Sequence, residues 1–306
     1  MMRHFVSLKD FSAEQLHELV DLSLDIKNNP QRYENALSGK YVGLIFEKPS
    51  LRTKTAFYVG ALELGGKAIY YSPEEIQLGR REKISDVAAT ISTFIDAVVL
   101  RTFSHEALLE FVKFSSLPVI NALSDLVHPT QILGDLITLK ELKNDVKDLK
   151  VAYIGDGNNV CHSLIHAFSI IGGNLHIAAP KQYQPDKKIM QEAGIFAKQS
   201  CGRITLDNSP QRAAEGADVL YTDVWTSMGQ EKEQQKRKKV FKNFQINDAI
   251  VSLAKKDCVV MHCLPAHRGE EITESVLNSK HSIVFLQAEN RLYAAKAILV
   301  WVLKGL

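Results

Sequence analysis

The feature that most constrains this chain is an alternation of short apolar runs with segments of helical periodicity, kept up over nearly its whole length. Tyr41 to Phe46 reads as a buried strand, and about Thr53 to Leu64 as a helix stopped by Gly65-Gly66. Lys67 to Tyr71, Ala97 to Leu100 and Pro118 to Asn121 are strand-like. Ile84 to Phe94, His105 to Phe114 and about Pro129 to Leu142 are helix-like. Ahead of all these, Ser12 and Gln15 form a capping box for a helix carrying Leu16, Leu19, Val20 and Leu24.

The charged stretch KNDVKDLK reads as a boundary, and a second series follows it. Val151 opens a strand, Asn159 to Ile171 is a helix, and Leu175 to Ala178, Ile204 to Leu206, Val219 to Thr222, Val259 to His262 and Ile283 to Leu286 are strand candidates. A last helix is expected from about Glu289 to Leu303. Such alternation implies parallel sheets covered on both faces, and two series imply two α/β domains joined near positions 130–150. The length allows this, since 306 residues with 45% hydrophobic content can bury two ordinary cores.

Composition removes some functions. A net charge of +2 with 24% charged residues gives no electrostatic case for nucleic acid or a membrane surface as the main partner. The four cysteines, Cys161, Cys201, Cys258 and Cys263, form no C-x-x-C pair and read as free thiols. No signal or transit segment and no long uncharged apolar stretch is evident, so a cytoplasmic protein is expected.

In parallel α/β sheets ligands bind beyond the C-terminal ends of strands. After the first strand comes EKPSLRTKTAF. Ser50, Arg52 and Thr53 around a helix start make an anion cradle without P-loop glycines; a well-capped helix with two surface cations, Arg52 and Lys54, is the plainer alternative. Arg101 follows the third strand, where either a ligand or a surface ion pair would account for it. In SDLVHPTQILGD, His128 precedes Pro129 and Gln131 lies in the first turn, a pairing suited to a carbonyl oxygen. Asp223 in DVWTSMG is a fixed negative charge where an ammonium could dock, with Ser227 and Met228 close behind. Cys263 ends a strand, and Arg291 calls for a nearby anion or a salt bridge such as one to Glu289.

Three tempting readings fail. GDGNNV lacks the third glycine of a dinucleotide fingerprint, and LHIAAP offers no acid for a ribose, so no NAD is expected; Asn158 and Asn159 remain as polar groups on that turn. HCLPAH supplies three metal ligands within six residues, interrupted by Pro265, with no second cluster. The five cations of KEQQKRKK read as a solvated helix face.

FEKPSLRTKTAF, LRTFS, HPTQILGD, GDGNNV, DVWTSMG, MHCLPAHRGEE and ENRLYAAKA, in that order, resemble the aspartate/ornithine carbamoyltransferase family over nearly the whole chain. The resemblance implies an α/β fold of two Rossmann-like doubly wound domains with parallel sheets, linked by helices. The expected divisions are a carbamoyl-phosphate-binding domain at 1–130, a linking helix at 131–150, an ornithine-binding domain at 151–287, and a terminal helix at 288–306 packing back on the first domain. It implies that Ser50, Leu51, Arg52, Thr53, Arg101, His128, Pro129, Thr130, Gln131, Cys263, Leu264 and Arg291 hold carbamoyl phosphate, with Gln77 supplied from a neighbouring subunit. Asn159, Asp223, Ser227 and Met228 would hold ornithine, and Arg52, Arg101, His128 and Cys263 would act in catalysis. Homotrimers or assemblies of trimers, a place in arginine biosynthesis, no cofactor and no metal are the family's habit. Two departures stand out. The family's S-T-R-T-R is Ser50-Leu51-Arg52-Thr53-Lys54 here, and Lys83 stands where serine is usual.

The chemistry expected is acyl transfer to a neutral amine, with Ser227–Lys239 closing as a lid. Aspartate or putrescine carbamoyltransferase and a non-catalytic binding relative are the alternatives. Asp223 argues against an anionic acceptor.

Overall fold

The computed structural model describes residues 2–143, 145–227, 229 and 231–305. They form two compact units, Met1–Glu141 with Glu289–Leu306, and Leu142–Ala288.

In the first unit four parallel strands, β1 (Tyr41–Phe46), β2 (Lys67–Tyr71), β3 (Ala97–Arg101) and β4 (Val119–Leu123), lie in the order β2-β1-β3-β4. The helices between and around them are α1 (Ala13–Asn28), α2 (Arg52–Glu63), the single turn α3 (Pro73–Ile76), α4 (Ile84–Ile91), α5 (His105–Phe114) and α6 (Pro129–Lys143). The Ser12–Gln15 capping box starts α1 and turns Leu16, Leu19, Val20 and Ile26 inward. Ala88 and Ile91 of α4, with Leu108 and Phe111 of α5, pack on Ile45, Val98, Leu100 and Val119 of the sheet. The strand order reverses between β1 and β3, so the loops after these two strands flank the switch point where such sheets bind ligands.

The second unit has five parallel strands, β5 (Lys150–Ile154), β6 (Asn174–Ala178), β7 (Arg203–Asp207), β8 (Val219–Thr222) and β9 (Val259–His262), in the order β7-β6-β5-β8-β9. Its helices are α7 (Asn159–Ile171), α8 (Lys187–Ser200), α9 (Pro210–Ala214), α10 (Gln234–Phe241), α11 (Asp248–Val251) and α12 (Glu274–Leu277). Every residue of α7 from Val160 to Ile171 is buried, and Gly172 ends it in the left-handed conformation. Here the order reverses between β5 and β8, which puts GDGNN and Asp223 at the switch point.

The long helix α13 (Val284–Lys304) closes the chain. Ile283 to Leu286 is therefore not a strand. The chain runs beside β9 only briefly, where Val260 N donates to His281 O at 2.7 Å and Ile283 N donates to Val260 O at 3.0 Å, and then coils. A four-residue apolar run carries no periodicity able to separate the two outcomes. The other shifts are at element ends: α4 stops at Ile91 instead of Phe94, and β4 runs on to Leu123. All four cysteines are free, and no described helix is long and apolar enough to cross a membrane.

Candidate active site

The first unit gathers cations around one buried histidine. α2 starts at Arg52, and Leu51 before it is already helical (φ −74°, ψ −63°) with no side-chain cap. The Leu51 side chain is 74% exposed, so this position offers a ligand only its backbone. A helix start without a capping side chain presents N–H groups and partial positive charge to an anion. Ser50 lies just before it, partly exposed. Lys54 is half-buried and sits 4.3 Å over the ring of Tyr70, not free on the surface.

Arg101 is the last residue of β3, paired with Phe46 of β1 and only 6% exposed, which removes the surface ion pair as its explanation. Its carbonyl accepts from Glu47 N at 2.8 Å. Lys48, buried and 4.3 Å over Phe103, belongs to the same corner. Burial and then the Arg101 charge pull its pKa down, against Asp125 and Glu47. Sequence reasoning passed over Lys48, although its place two residues beyond β1 satisfies the strand-end rule.

His128 is buried at the start of α6. Burial, then the charges of Arg291, Arg101 and Arg52, hold its pKa well below the usual histidine value. The imidazole is consequently neutral at pH 7 and able to donate one hydrogen bond. Pro129, Thr130 and Gln131 form the buried first turn, with Thr130 Oγ1 3.4 Å from His128 Nδ1. Gln131 donates to Asp135 Oδ1 at 2.9 Å and accepts from Arg291 Nη1. Arg291 Nη2 donates to Thr53 Oγ1 at 2.8 Å. Because α13 begins at Val284, Arg291 lies beyond its first turns, and the helix dipole sets no demand there. Gly134 permits the approach, since a Cβ at that position would sit 3.0 Å from Arg291 Cδ. Arg52, Thr53, Arg101, His128, Gln131 and Arg291 are thus brought together. Gln77, exposed and in the left-handed conformation (φ 45°), lines a pocket with Phe46, Glu47 and Phe103.

The second unit gathers groups around Asp223, just past β8. Its Oδ1 accepts from Val224 N at 2.8 Å and from Cys263 Sγ at 2.7 Å, and its Oδ2 accepts from Asn158 Nδ2 at 2.7 Å. Asn158 caps α7 through Oδ1, to Val160 N and Cys161 N, so its side chain is fully committed. Asn159 and Ser227 remain partly exposed, and Met228 lies outside the described residues. The turn is tight: a Cβ at Gly157 would meet Pro185 N at 2.2 Å.

Leu264, in the left-handed conformation (φ 54°), donates its N–H to His262 Nδ1 at 2.8 Å, leaving its carbonyl to offer. His262 Nε2 faces Glu271 Oε1 at 3.0 Å, with both side chains fully buried. Asp223, His262 and Cys263 bring ligand atoms within 4.8 Å of one another. Both nitrogens of His262 and the Asp223 oxygens are already bonded to protein groups, however, so a metal would have to break this network. The basic run also needs correcting. Arg237 of α10 is 5% exposed, bonded to Asp156 Oδ2 at 3.0 Å and to Trp225 O at 2.8 Å, while Lys232, Lys236 and Lys239 are exposed. Asp156 and Arg237 were missed because a buried arginine inside a lysine run looks like its neighbours in sequence.

Two doubly wound units, one with cations gathered around a buried histidine and one with a carboxylate–thiol pair, define a two-domain α/β protein with a candidate site in each unit. Residues 3–141 match the carbamoyl-P binding domain of aspartate/ornithine carbamoyltransferase, and residues 147–302 match its Asp/Orn binding domain. An ornithine carbamoyltransferase from Listeria monocytogenes is 46% identical over 304 residues, covering 99% of this chain and 96% of the relative. The solved ornithine carbamoyltransferase from Pyrococcus furiosus superposes with a TM-score of 0.96 at 43% identity, covering 99% of this chain and 98% of that one. The anabolic ornithine carbamoyltransferase from Campylobacter jejuni gives 0.95 at 42% identity, with both chains fully covered. The chain belongs to the aspartate/ornithine carbamoyltransferase family.

Proposed function

We propose that this protein transfers the carbamoyl group of carbamoyl phosphate to the δ-amine of L-ornithine, releasing L-citrulline and phosphate. The observation that carries the choice of acceptor is Asp223, a buried carboxylate held at three points in the Asp/Orn binding unit. A fixed anion suits the α-ammonium of ornithine and repels the second carboxylate of aspartate.

The donor's phosphate lies against the α2 N-terminus, Ser50, the Leu51 backbone, Arg52, Thr53 and Arg101. Arg101 and neutral His128 donate to the carbamoyl oxygen as it gains charge, with Pro129 and Thr130 shaping the turn and Gln131 and Arg291 bracing it. The Leu264 carbonyl and Cys263 steady the carbamoyl and amine nitrogens. Asn159, Ser227 and Met228 complete the amino-acid site. The neutral amine attacks the carbamoyl carbon, a C–N bond forms, the C–O bond to phosphate breaks with its electron pair, and the amine loses a proton. With a δ-amine pKa near ~10.4, only about 0.1% of ornithine is neutral near pH 7.4. Cations and desolvation on the donor side lower that pKa, so Asp223 belongs at the α-ammonium and not at the reacting nitrogen.

We further place the protein in the cytoplasm and in arginine metabolism, as a homotrimer in which Gln77 of one subunit serves its neighbour. The test is a rate comparison with carbamoyl phosphate and, in turn, ornithine, putrescine, N-acetylornithine and aspartate. Ornithine is expected to exceed each of the others by at least ~10²-fold in kcat/KM. Aspartate or putrescine as the best acceptor would overturn the reading, and no product with any acceptor would make this a binding protein.

A further inference from the structure

The guanidinium of Arg237 touches two loops of the second unit at once. It bonds to Asp156, two residues before Asn158, at 3.0 Å, and to the carbonyl of Trp225, two residues before Ser227, at 2.8 Å. Its carbon lies 4.4 Å over the ring of Tyr183, and its Nε lies 3.3 Å from Glu233. The Arg237 and Asp156 side chains are 6% and 7% exposed. The neighbouring bonds lead into the Asp223 network. Tyr153 Oη donates to Asp156 O at 2.8 Å, Asn158 N donates to Asp156 O at 2.8 Å, and Asn158 Nδ2 reaches Asp223. A buried ion pair is a poor source of stability compared with apolar packing, and this one joins the loop after β5 to the loop after β8.

We propose that Arg237 is a positioning residue for the acceptor amino acid, gripping Asp156 so that the segment bearing Ser227 is held against the turn bearing Asn158 and Asn159. This rests on the ornithine reading of the Asp223 site and adds a residue pair that touches no substrate.

The grip depends on a charge that pH can remove. Burial, with Asp223 and Glu233 adding to it and Arg237 opposing, pushes the Asp156 carboxyl up to about 7. The groups facing it are Arg237 and Glu233 from α10 and the turn before it, Asp223 from the end of β8, Cys161 from α7 and Tyr153 from β5. As pH falls through about 7 Asp156 takes up a proton and Arg237 keeps only the half-exposed Glu233 as an anionic partner; as pH rises the buried pair forms.

The test uses L-2-aminopentanoate, which is ornithine without its δ-amine and so does not titrate between pH 6 and 8 at the reacting end. With carbamoyl phosphate saturating, its Ki in the unsubstituted protein is expected to rise about fivefold or more from pH 8 to pH 6. Asp156→Asn should show a raised Ki that no longer varies with pH. Arg237→Met should raise KM for ornithine about tenfold while KM for carbamoyl phosphate stays within about twofold, and Arg237→Lys should fall between. If Arg237→Met does not fold, the unsubstituted protein and Arg237→Lys still decide. A Ki independent of pH in the unsubstituted protein, or both KM values rising in proportion in Arg237→Lys, overturns the positioning role. Failure of the analogue to bind at any pH overturns the ornithine reading itself.

Discussion

Arg291 donates to the hydroxyl of Thr53 at 2.8 Å, across 238 positions of sequence, and the same guanidinium bonds to Gln131. One side chain of the last helix therefore ties the first turn of α2 to the first turn of α6. Lysine cannot reproduce this two-pronged link. Arg291→Lys is expected to lower kcat/KM for carbamoyl phosphate about tenfold with KM for ornithine little changed. Initial-rate measurements varying each substrate in turn check this.

His128 is held neutral by burial and by Arg291, Arg101 and Arg52. The unfolded chain takes up a proton at this residue near pH 6.5 and the folded chain does not, so its contribution to stability is complete above 6.5 and lost as pH falls below it. His128→Gln should lower kcat by ~10²–10³ and reduce the loss of thermal stability between pH 7 and pH 5. NMR of the free protein should find this ring neutral at pH 6; a midpoint near 6.5 would contradict the account.

Leu51 is the most conspicuous departure in the anion cradle, yet its side chain points to solvent. Leu51→Thr should change KM for carbamoyl phosphate by less than about threefold, because the N–H is the same in both. A tenfold gain in affinity would show that a hydroxyl is missing there.

Asp223 and Cys263 share one short contact of 2.7 Å. Asp223→Asn should raise KM for ornithine by about 10²-fold or more, through loss of the charge facing the α-ammonium. Cys263→Ser, which keeps a donor toward Asp223, should cost about tenfold in kcat. Asp223→Asn should leave carbamoyl phosphate affinity, measured alone by calorimetry, unchanged.

Gly157 has no room for a methyl group, with Pro185 N 2.2 Å from where it would lie. Gly157→Ala should destabilise the protein by about 1–3 kcal/mol, read as a lower denaturation midpoint with unchanged slope. It should also raise KM for ornithine, because the displaced turn carries Asn158.

Much of this architecture was legible before the structure. β1, β2, α5, α7, β8 and β9 fall on the residues where apolar runs and capping signals put them: β1, β8 and β9 are buried along nearly their whole length, α5 and α7 start at the caps Ser104 and Asn158, and β2, with no buried residue, follows Gly65-Gly66. Ile283 to Leu286 misled because four apolar residues suit a strand and the start of a helix equally. In the site, Arg101, His128, Gln131 and Asp223 could be found from strand ends and helix starts. Arg237 could not, because a run of cations has no pattern telling which one turns inward, and only the fold pairs it with Asp156. Lys48 differs: its place two residues beyond β1 was a usable signal, and its burial over Phe103 beside Arg101 shows that the strand-end rule applied to it too.

The central claim is that Asp223 engages the α-ammonium and leaves the δ-nitrogen to react. Carbon-13 NMR of a reaction between carbonyl-labelled carbamoyl phosphate and L-ornithine tests it most directly. The account predicts label in the ureido carbon on the δ-nitrogen, with one phosphate released per label transferred. Label on the α-nitrogen, or phosphate release without any ureido product, would contradict it.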